Sequence, residues 1–243
     1  GAENCDSINN MTKEKPIYDL AVIGGGPAGM MAAGRAAELG AKVILIEKNK
    51  ELGKKLLITG GGRCNLTNAE MDTRKFLSKF KEDAKFLFTS FAEFGVKETL
   101  DFFHNRGMET NIEAEKRVFP LSNSAQSVWD VLRGYMIDGE VMVALDSPVS
   151  EFIKRENKIV SVKLKNSKEI FARSFVLATG GKSYPETGST GDGFLWLKEL
   201  GHKVTESGAA LVPVAVGDVW VRQLQGVSLP EVKITILQNN VKQ

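Results

Sequence analysis

Tyr18-Asp19-Leu20-Ala21-Val22-Ile23-Gly24-Gly25-Gly26-Pro27-Ala28-Gly29 joins a short, mainly apolar run to a glycine-rich turn. The run 18–23 reads as a buried parallel strand. Residues 27–39 are rich in Ala, Met and Gly and read as a helix closing at Gly40, a residue suited to the left-handed position after a helix. Pro27 suits the first helical turn, where its missing N–H has no intrahelical partner. Gly24-x-Gly26-x-x-Gly29 thus lies between a strand and a helix, the context in which this spacing binds a dinucleotide. Gly24 permits the tight turn. Gly26 lets the backbone approach a pyrophosphate, and Gly29 lets the helix pack closely on the strand. The helix N-terminus offers free N–H groups and partial positive charge to the phosphates.

Outward from this turn, residues 41–46 (AKVILI) read as the next strand, ended by Glu47. A carboxylate about 20 residues past the glycines is placed to accept hydrogen bonds from a ribose. It repels a 2′-phosphate, so NADP is disfavoured here. A second strip follows, Gly60-Gly61-Gly62-Arg63-Cys64-Asn65-Leu66-Thr67-Asn68. The two strips together point to a flavin dinucleotide.

Phe76, Leu77, Phe80, Leu87, Phe91, Phe94, Leu100 and Phe103 give residues 73–106 helical patterning, with Gly107 as a stop. Aromatics at this spacing read as core. Residues 125–135 read as another helix, with Ser122 or Ser124 near its N-cap. From 140 to 180 the pattern becomes β-rich, in segments 141–143, 149–153, 159–164 and 170–177, with turns at Asn157-Lys158 and Asn166-Ser167. The last segment runs into Gly180-Gly181, where a backbone can lie against a ligand. A further Gly-rich loop, 187–193, feeds a helix that stops at Gly201. Asp192 is read there either as the N-cap or as a cofactor contact.

The chain has 243 residues, 42% hydrophobic and 26% charged, ordinary values for a globular protein. Its net charge of +2 gives no field that argues for nucleic acid or a membrane surface. No apolar stretch is long enough to span a bilayer. Two cysteines, Cys5 and Cys64, make no disulfide framework, and no Cys/His spacing suggests a metal site. A reducing cytoplasm is the expected location. Residues 1–15 read as a tag or disordered tail. His104 and His202 suit helix-end charge roles. Cys64 is expected to be a structural or flavin-neighbouring thiol, and Tyr184 either approaches a substrate or packs.

The strips GGGPAGMMAA (24–33), KKLLITGGGRCNLTN (54–68), RVFPLSNSA (117–125), ATGGKSYPETGSTGDG (178–193) and LVP (211–213) resemble the YhiN/BaiN-like FAD-dependent flavoproteins, the aminoacetone-oxidase family. The likeness covers residues 18–213, and its second and fourth strips are specific. It implies an α/β fold: a Rossmann-like FAD-binding domain with a central parallel sheet, a β-meander crossover and a helical insertion, then the beginning of an inserted, mostly-β substrate domain. The corresponding ranges are 16–207, with the helical segment at about 73–137, and an incomplete 208–243. The resemblance implies non-covalent FAD, with Gly24, Gly26, Pro27, Ala28 and Gly29 at the pyrophosphate and Glu47 and Lys48 at the adenosine ribose. Lys55, Gly60, Gly61, Gly62, Arg63, Cys64 and Asn65 would line the pyrophosphate and flavin. Val149 would meet the adenine through its backbone, Gly180 and Gly181 would lie beside the dinucleotide, and Asp192 would meet FAD.

The implied activity is hydride transfer between flavin and an unknown small molecule, either amine oxidation or reduction of a conjugated C=C, with NAD(P)H as a transient electron donor. A dehydrogenase with a single NAD site and a non-catalytic FAD-binding fragment stay open. No acid/base residue declares itself. Residues 232–237 read as an early strand of the inserted domain, and Leu211, Val214, Val216, Leu229, Ile234 and Ile236 as apolar surface that favours self-association through 208–243.

Overall fold

The computed structural model describes residues 18–206 and, beyond them, 208, 217–224, 227, 233, 235, 237–238 and 241–242. The tail 1–15 and the six apolar residues from Leu211 to Ile236 lie outside the described residues, as do Cys5 and residues 232, 234 and 236 of the strand expected at 232–237. The chain divides into a unit ending at Val204 and a second starting at Thr205. The second holds a short 3-10 turn, Val219–Leu224, and an antiparallel ribbon pairing Leu237–Gln238 with Val241–Lys242.

In the first unit the glycine turn sits between strand β1 (Tyr18–Ile23) and helix α1 (Pro27–Glu38), followed by strand β2 (Val43–Ile46). β1 and β2 pair in parallel, with Leu20 beside Val43 and Ile23 beside Ile46. Both faces of these strands are buried, so their apolar runs are continuous instead of alternating. Val22, Val43 and Leu45 enter one core with α1, while Ala21, Ile23, Ile44 and Ile46 enter the core on the opposite face. Strand β6 (Met142–Ala144) adds in parallel outside β2.

Three further strands, β7 (Val149–Arg155), β8 (Lys158–Leu164) and β9 (Glu169–Leu177), form an antiparallel meander. β9 also pairs in parallel with β1, which joins everything into one sheet of order β6-β2-β1-β9-β8-β7. The C-terminal ends of β1, β2 and β9 therefore open at one edge, where open α/β sheets bind ligands.

The segment from 73 to 138 is an insertion between β2 and β6. It carries helices α2 (Thr73–Ser78), α3 (Ala84–Glu93), α4 (Val96–His104) and α5 (Ala125–Asp138). The helical pattern of 73–106 is thus broken into three, at Lys81 with φ +51° and at Gly95. Ser124 caps α5, its hydroxyl accepting from the Gln126 N–H at 3.2 Å. Two strands of the insertion, β4 (Thr110–Glu113) and β5 (Arg117–Pro120), join the short β3 (Thr67–Asn68) that precedes it in a small antiparallel sheet of order β3-β5-β4, which the sequence pattern does not announce.

Helix α5 lies against α1 because Gly34 leaves space for the Tyr135 ring; a Cβ at Gly34 would lie 2.4 Å from it. The Tyr135 hydroxyl donates to Glu38 at 2.8 Å, and the Arg106 guanidinium covers the rings of Phe102 and Tyr135 at 4.0 and 4.5 Å. No described helix is long and apolar enough to cross a membrane.

Candidate functional site

A cleft of about 790 Å³ opens at the C-terminal ends of β1, β2 and β9. Its size suits a cofactor. It brings together Gly24, Gly26, Pro27, Ala28, Glu47, Lys48, Lys55, Val149, Gly180 and Asp192. Gly29, Gly60, Gly61, Gly62, Arg63, Cys64, Asn65 and Gly181 do not line it.

The three fingerprint glycines have three different reasons to be glycine. Gly24 has φ +109°, and a Cβ there would lie 2.5 Å from the Ala178 carbonyl oxygen. Gly29 packs helix on strand; its Cβ would lie 1.8 Å from the Gly24 carbonyl oxygen. Gly26 has φ −76°, ordinary for any residue, and a Cβ there meets no atom of the described residues within 4 Å apart from its chain neighbours. Among the described residues, then, nothing beyond its chain neighbours claims that space, and Gly26 lines the cleft at the start of α1. Its absent side chain leaves room for a ligand, not for the protein, and the helix N-terminus suits a diphosphate. These residues fit the dinucleotide that the sequence implies.

Glu47 is buried, at 7% exposure. Its Oε2 accepts from the Gly25 N–H at 2.6 Å and its Oε1 from the Asn49 N–H at 2.7 Å. Each oxygen keeps a further lone pair. Glu47 therefore fastens the turn to β2 as well as facing the cleft.

The segment after β2 contacts the loop that precedes helix α6 (Asp192–Glu199). Lys48 Nζ donates to Asp192 Oδ2 at 2.8 Å and to Thr190 Oγ1 at 2.6 Å. Burial opposes ionisation of Asp192, but hydrogen bonds from Lys48 and Thr190 outweigh it and hold the carboxyl below its usual range. The N-cap of α6 is Gly191, at φ +84°, and Asp192 is the first residue of the helix, its Oδ2 taken by Lys48. The cap reading of Asp192 is thus replaced by an ion pair across the cleft. Burial draws the Lys55 ammonium below its usual pKa, and Glu186 acts the other way.

The second glycine strip forms a separate exposed turn. Gly60, Gly61 and Gly62 have φ of +56°, +67° and +84°, so three successive residues are left-handed. Arg63 is anchored beside it. Its guanidinium pairs with Glu113, donates to Asn123 Oδ1 at 2.8 Å and covers the Phe119 ring at 4.1 Å. Cys64 is buried, and burial raises its thiol pKa while a hydrogen bond with Thr59 acts the other way. His104 Nε2 shares a hydrogen bond with the Thr110 hydroxyl at 2.8 Å. Tyr184 is exposed, with φ +52°. Among the described residues no His, Cys, Asp and Glu cluster is arranged to hold a metal.

Several lining residues were not singled out from sequence, among them Gly25, Asn49, Thr179, Thr187, Ser189 and Trp196. Thr187 and Ser189 are polar yet only 8% exposed. Their signal lay in the strip 178–193, whose Ser and Thr residues alternate with glycines.

The HI0933-like protein Rossmann domain matches residues 18–243. The chain belongs to this family. It is 31% identical over 218 residues to the ribosomal RNA dihydrouridine synthase of Escherichia coli, covering 88% of this chain and 53% of that protein. It is 33% identical over 199 residues to the 3-dehydro-bile acid delta(4,6)-reductase of Clostridium scindens, covering 81% of this chain and 47% of that protein. The chain spans about half the length of these curated relatives. Among solved structures it is similar to the open conformation of a flavocytochrome c3 fumarate reductase, with TM-score 0.64 and 24% identity, covering 78% of this chain and 41% of that one. The 3-ketosteroid delta1-dehydrogenase of Sterolibacterium denitrificans aligns with TM-score 0.60 and 16% identity, covering 78% and 56%. The HI0933-like chain thus has the Rossmann-like FAD-binding fold, with a parallel-dominated sheet and an antiparallel meander.

Proposed function

We propose that this chain is the FAD-holding part of an oxidoreductase that exchanges hydride with a carbon–carbon double bond conjugated to a carbonyl. The observation that carries FAD binding is Gly26, whose missing side chain serves the cleft and no packing neighbour among the described residues. On this reading the turn from Gly24 to Gly29 and the α1 N-terminus hold the diphosphate, Glu47 accepts from the adenosine ribose, and Val149 borders the adenine. The exposed strip Gly60–Asn65 supplies backbone groups at the flavin. Bound flavin supplies the hydride and electron chemistry. The protein's part is to position the dinucleotide, exclude water and hold charge near the ring. Arg63, already paired with Glu113, positions the strip through Phe119 and Asn123 and offers no free charge.

The C=C reading is favoured over amine oxidation by the two relatives, whose names both describe saturation of a carbon–carbon double bond. NAD(P)H is the proposed electron donor. The substrate is a small molecule on this reading, because a net charge of +2 supplies little attraction to a polyanion. A base within RNA is the competing substrate, favoured by the relative named for ribosomal RNA. Titration of the purified chain with FAD, followed by absorbance and fluorescence, tests the cofactor. Rapid mixing of reduced flavoprotein with an α,β-unsaturated ketone, against an RNA oligonucleotide and against oxidised flavoprotein with an amine, tests the chemistry. Flavin reoxidation by the ketone is expected. Flavin reduction by the amine alone overturns the C=C reading.

A further inference from the structure

Four residues of the segment after β2 reach across to the loop before α6, in strict order. Lys48 Nζ meets Thr190 and Asp192 at 2.6 and 2.8 Å. Asn49 Nδ2 donates to the Thr187 carbonyl at 3.1 Å. Lys54 Nζ donates to the Glu186 carbonyl at 3.0 Å. Lys55 Nζ approaches Ser183 Oγ at 3.4 Å. As residue numbers rise on one segment they fall on the other, so the two run antiparallel, joined by side chains instead of a backbone ladder.

The loop's own backbone bonds are local. Thr187 N–H donates to the Tyr184 carbonyl, Gly188 N–H to Pro185 and Thr190 N–H to Gly188. Gly188 and Gly191 sit at φ +103° and +84°. Such a path has little regular structure to hold it, so the side-chain contacts set its position. Both segments line the cleft. Lys48 closes the end nearest α6, and its ammonium is already committed to a carboxylate and a hydroxyl. A cation so engaged is a weak direct partner for a phosphate.

We infer that Lys48 is a positioning residue that retains FAD by holding the 183–192 loop on the cleft, and not by pairing with the dinucleotide; this rests on the FAD reading above. The alternative, a direct counter-ion, gives the opposite sign for one variant. If Lys48 met the diphosphate itself, Asp192→Asn would free the ammonium and remove a repelling carboxylate, so FAD would be held more tightly. If Lys48 acts through the loop, Asp192→Asn releases the loop and FAD leaves faster.

The test uses wild type, Lys48→Met, Asp192→Asn and the double variant. Hydrogen exchange of peptides spanning 183–192 is read in FAD-free protein. FAD dissociation is read from the recovery of free-flavin fluorescence after dilution of loaded protein. Each single variant is expected to raise exchange within 183–192 and to speed FAD loss about three- to tenfold, the scale of one partly exposed ion pair with its hydrogen bonds. The double variant is expected to be no faster than the faster single, since both remove one interaction. Tighter retention in Asp192→Asn, additive effects, or faster FAD loss with unchanged exchange overturns the inference. So does raised exchange with unchanged FAD loss, which would leave the loop contacts without a role in retention. A wild-type chain that binds no FAD overturns the cofactor reading itself, and its exchange data then report only whether the side chains clasp the loop.

Discussion

The backbone N–H of Gly25 donates to Glu47 Oε2 at 2.6 Å, across 22 positions of sequence. One carboxylate thus joins the glycine turn to the end of β2, and its other oxygen holds Asn49. Glu47→Ala strips acceptors from two backbone donors in a buried setting. It is expected to destabilise the FAD-free protein by about 1–3 kcal/mol, in addition to weakening FAD binding. Urea unfolding of apoprotein checks the first effect and FAD titration the second. An apoprotein as stable as wild type would show that the Gly25 contact contributes nothing to the fold.

The fingerprint glycines are expected to separate folding from binding. Gly29→Ala forces a methyl into the Gly24 carbonyl and should cost about 3 kcal/mol or more, the upper range of overpacking. Gly26→Ala should lower stability by no more than about 1 kcal/mol, the scale of losing a favoured N-cap residue, while sharply weakening FAD. Thermal melts beside FAD titrations distinguish the two. Full FAD affinity in Gly26→Ala would move the phosphate site away from this turn.

Glu70 gives a pH dependence. Lys116 and Lys75 hold its carboxyl at about 2, the Lys116 bond being the larger cause. The folded value lies below the unfolded value of about 4.3. The stabilisation is therefore complete above about pH 4.3 and is lost as pH falls towards 2. The urea midpoint of wild type should fall over that window, and Glu70→Gln should start lower and fall less. Parallel curves for the two proteins would remove Glu70 from acid unfolding.

Cys64 is expected to be inert. Its thiol is buried and burial raises its pKa, so thiolate, the reactive form, is scarce. Residues 47–63 contain no His, Cys or Tyr, so that segment offers no point of flavin attachment. Acid precipitation of FAD-loaded protein should leave the yellow colour in the supernatant. Flavin that stays with the pellet in wild type, and leaves it in Cys64→Ser, would contradict this.

The legible parts of this fold are those whose signal is local. The strand–turn–helix around Gly24 and the helix from Ala125 follow from period and punctuation within about a dozen residues. The turn between β4 and β5 was not legible. Glu115 and Lys116 take φ of +58° and +61° there, positions where Gly or Asn usually announces the turn. Strand β4 is also too short and too exposed to show an apolar alternation.

Sequence by itself determined the dinucleotide turn, the placement of Glu47 after β2 and the change from helical to β period near residue 140. These depend on steric freedom and side-chain periodicity that each short segment carries alone. Tertiary structure alone decided which face each glycine serves, that Glu47 holds Gly25, that Arg63 is spent on Glu113, and that Lys48 meets Asp192. Those depend on where β2, β9 and the loop before α6 end relative to one another. The Lys48–Asp192 hydrogen bond joins residues 144 positions apart. No local pattern encodes such a pairing, because it exists only once the sheet has closed its strand order.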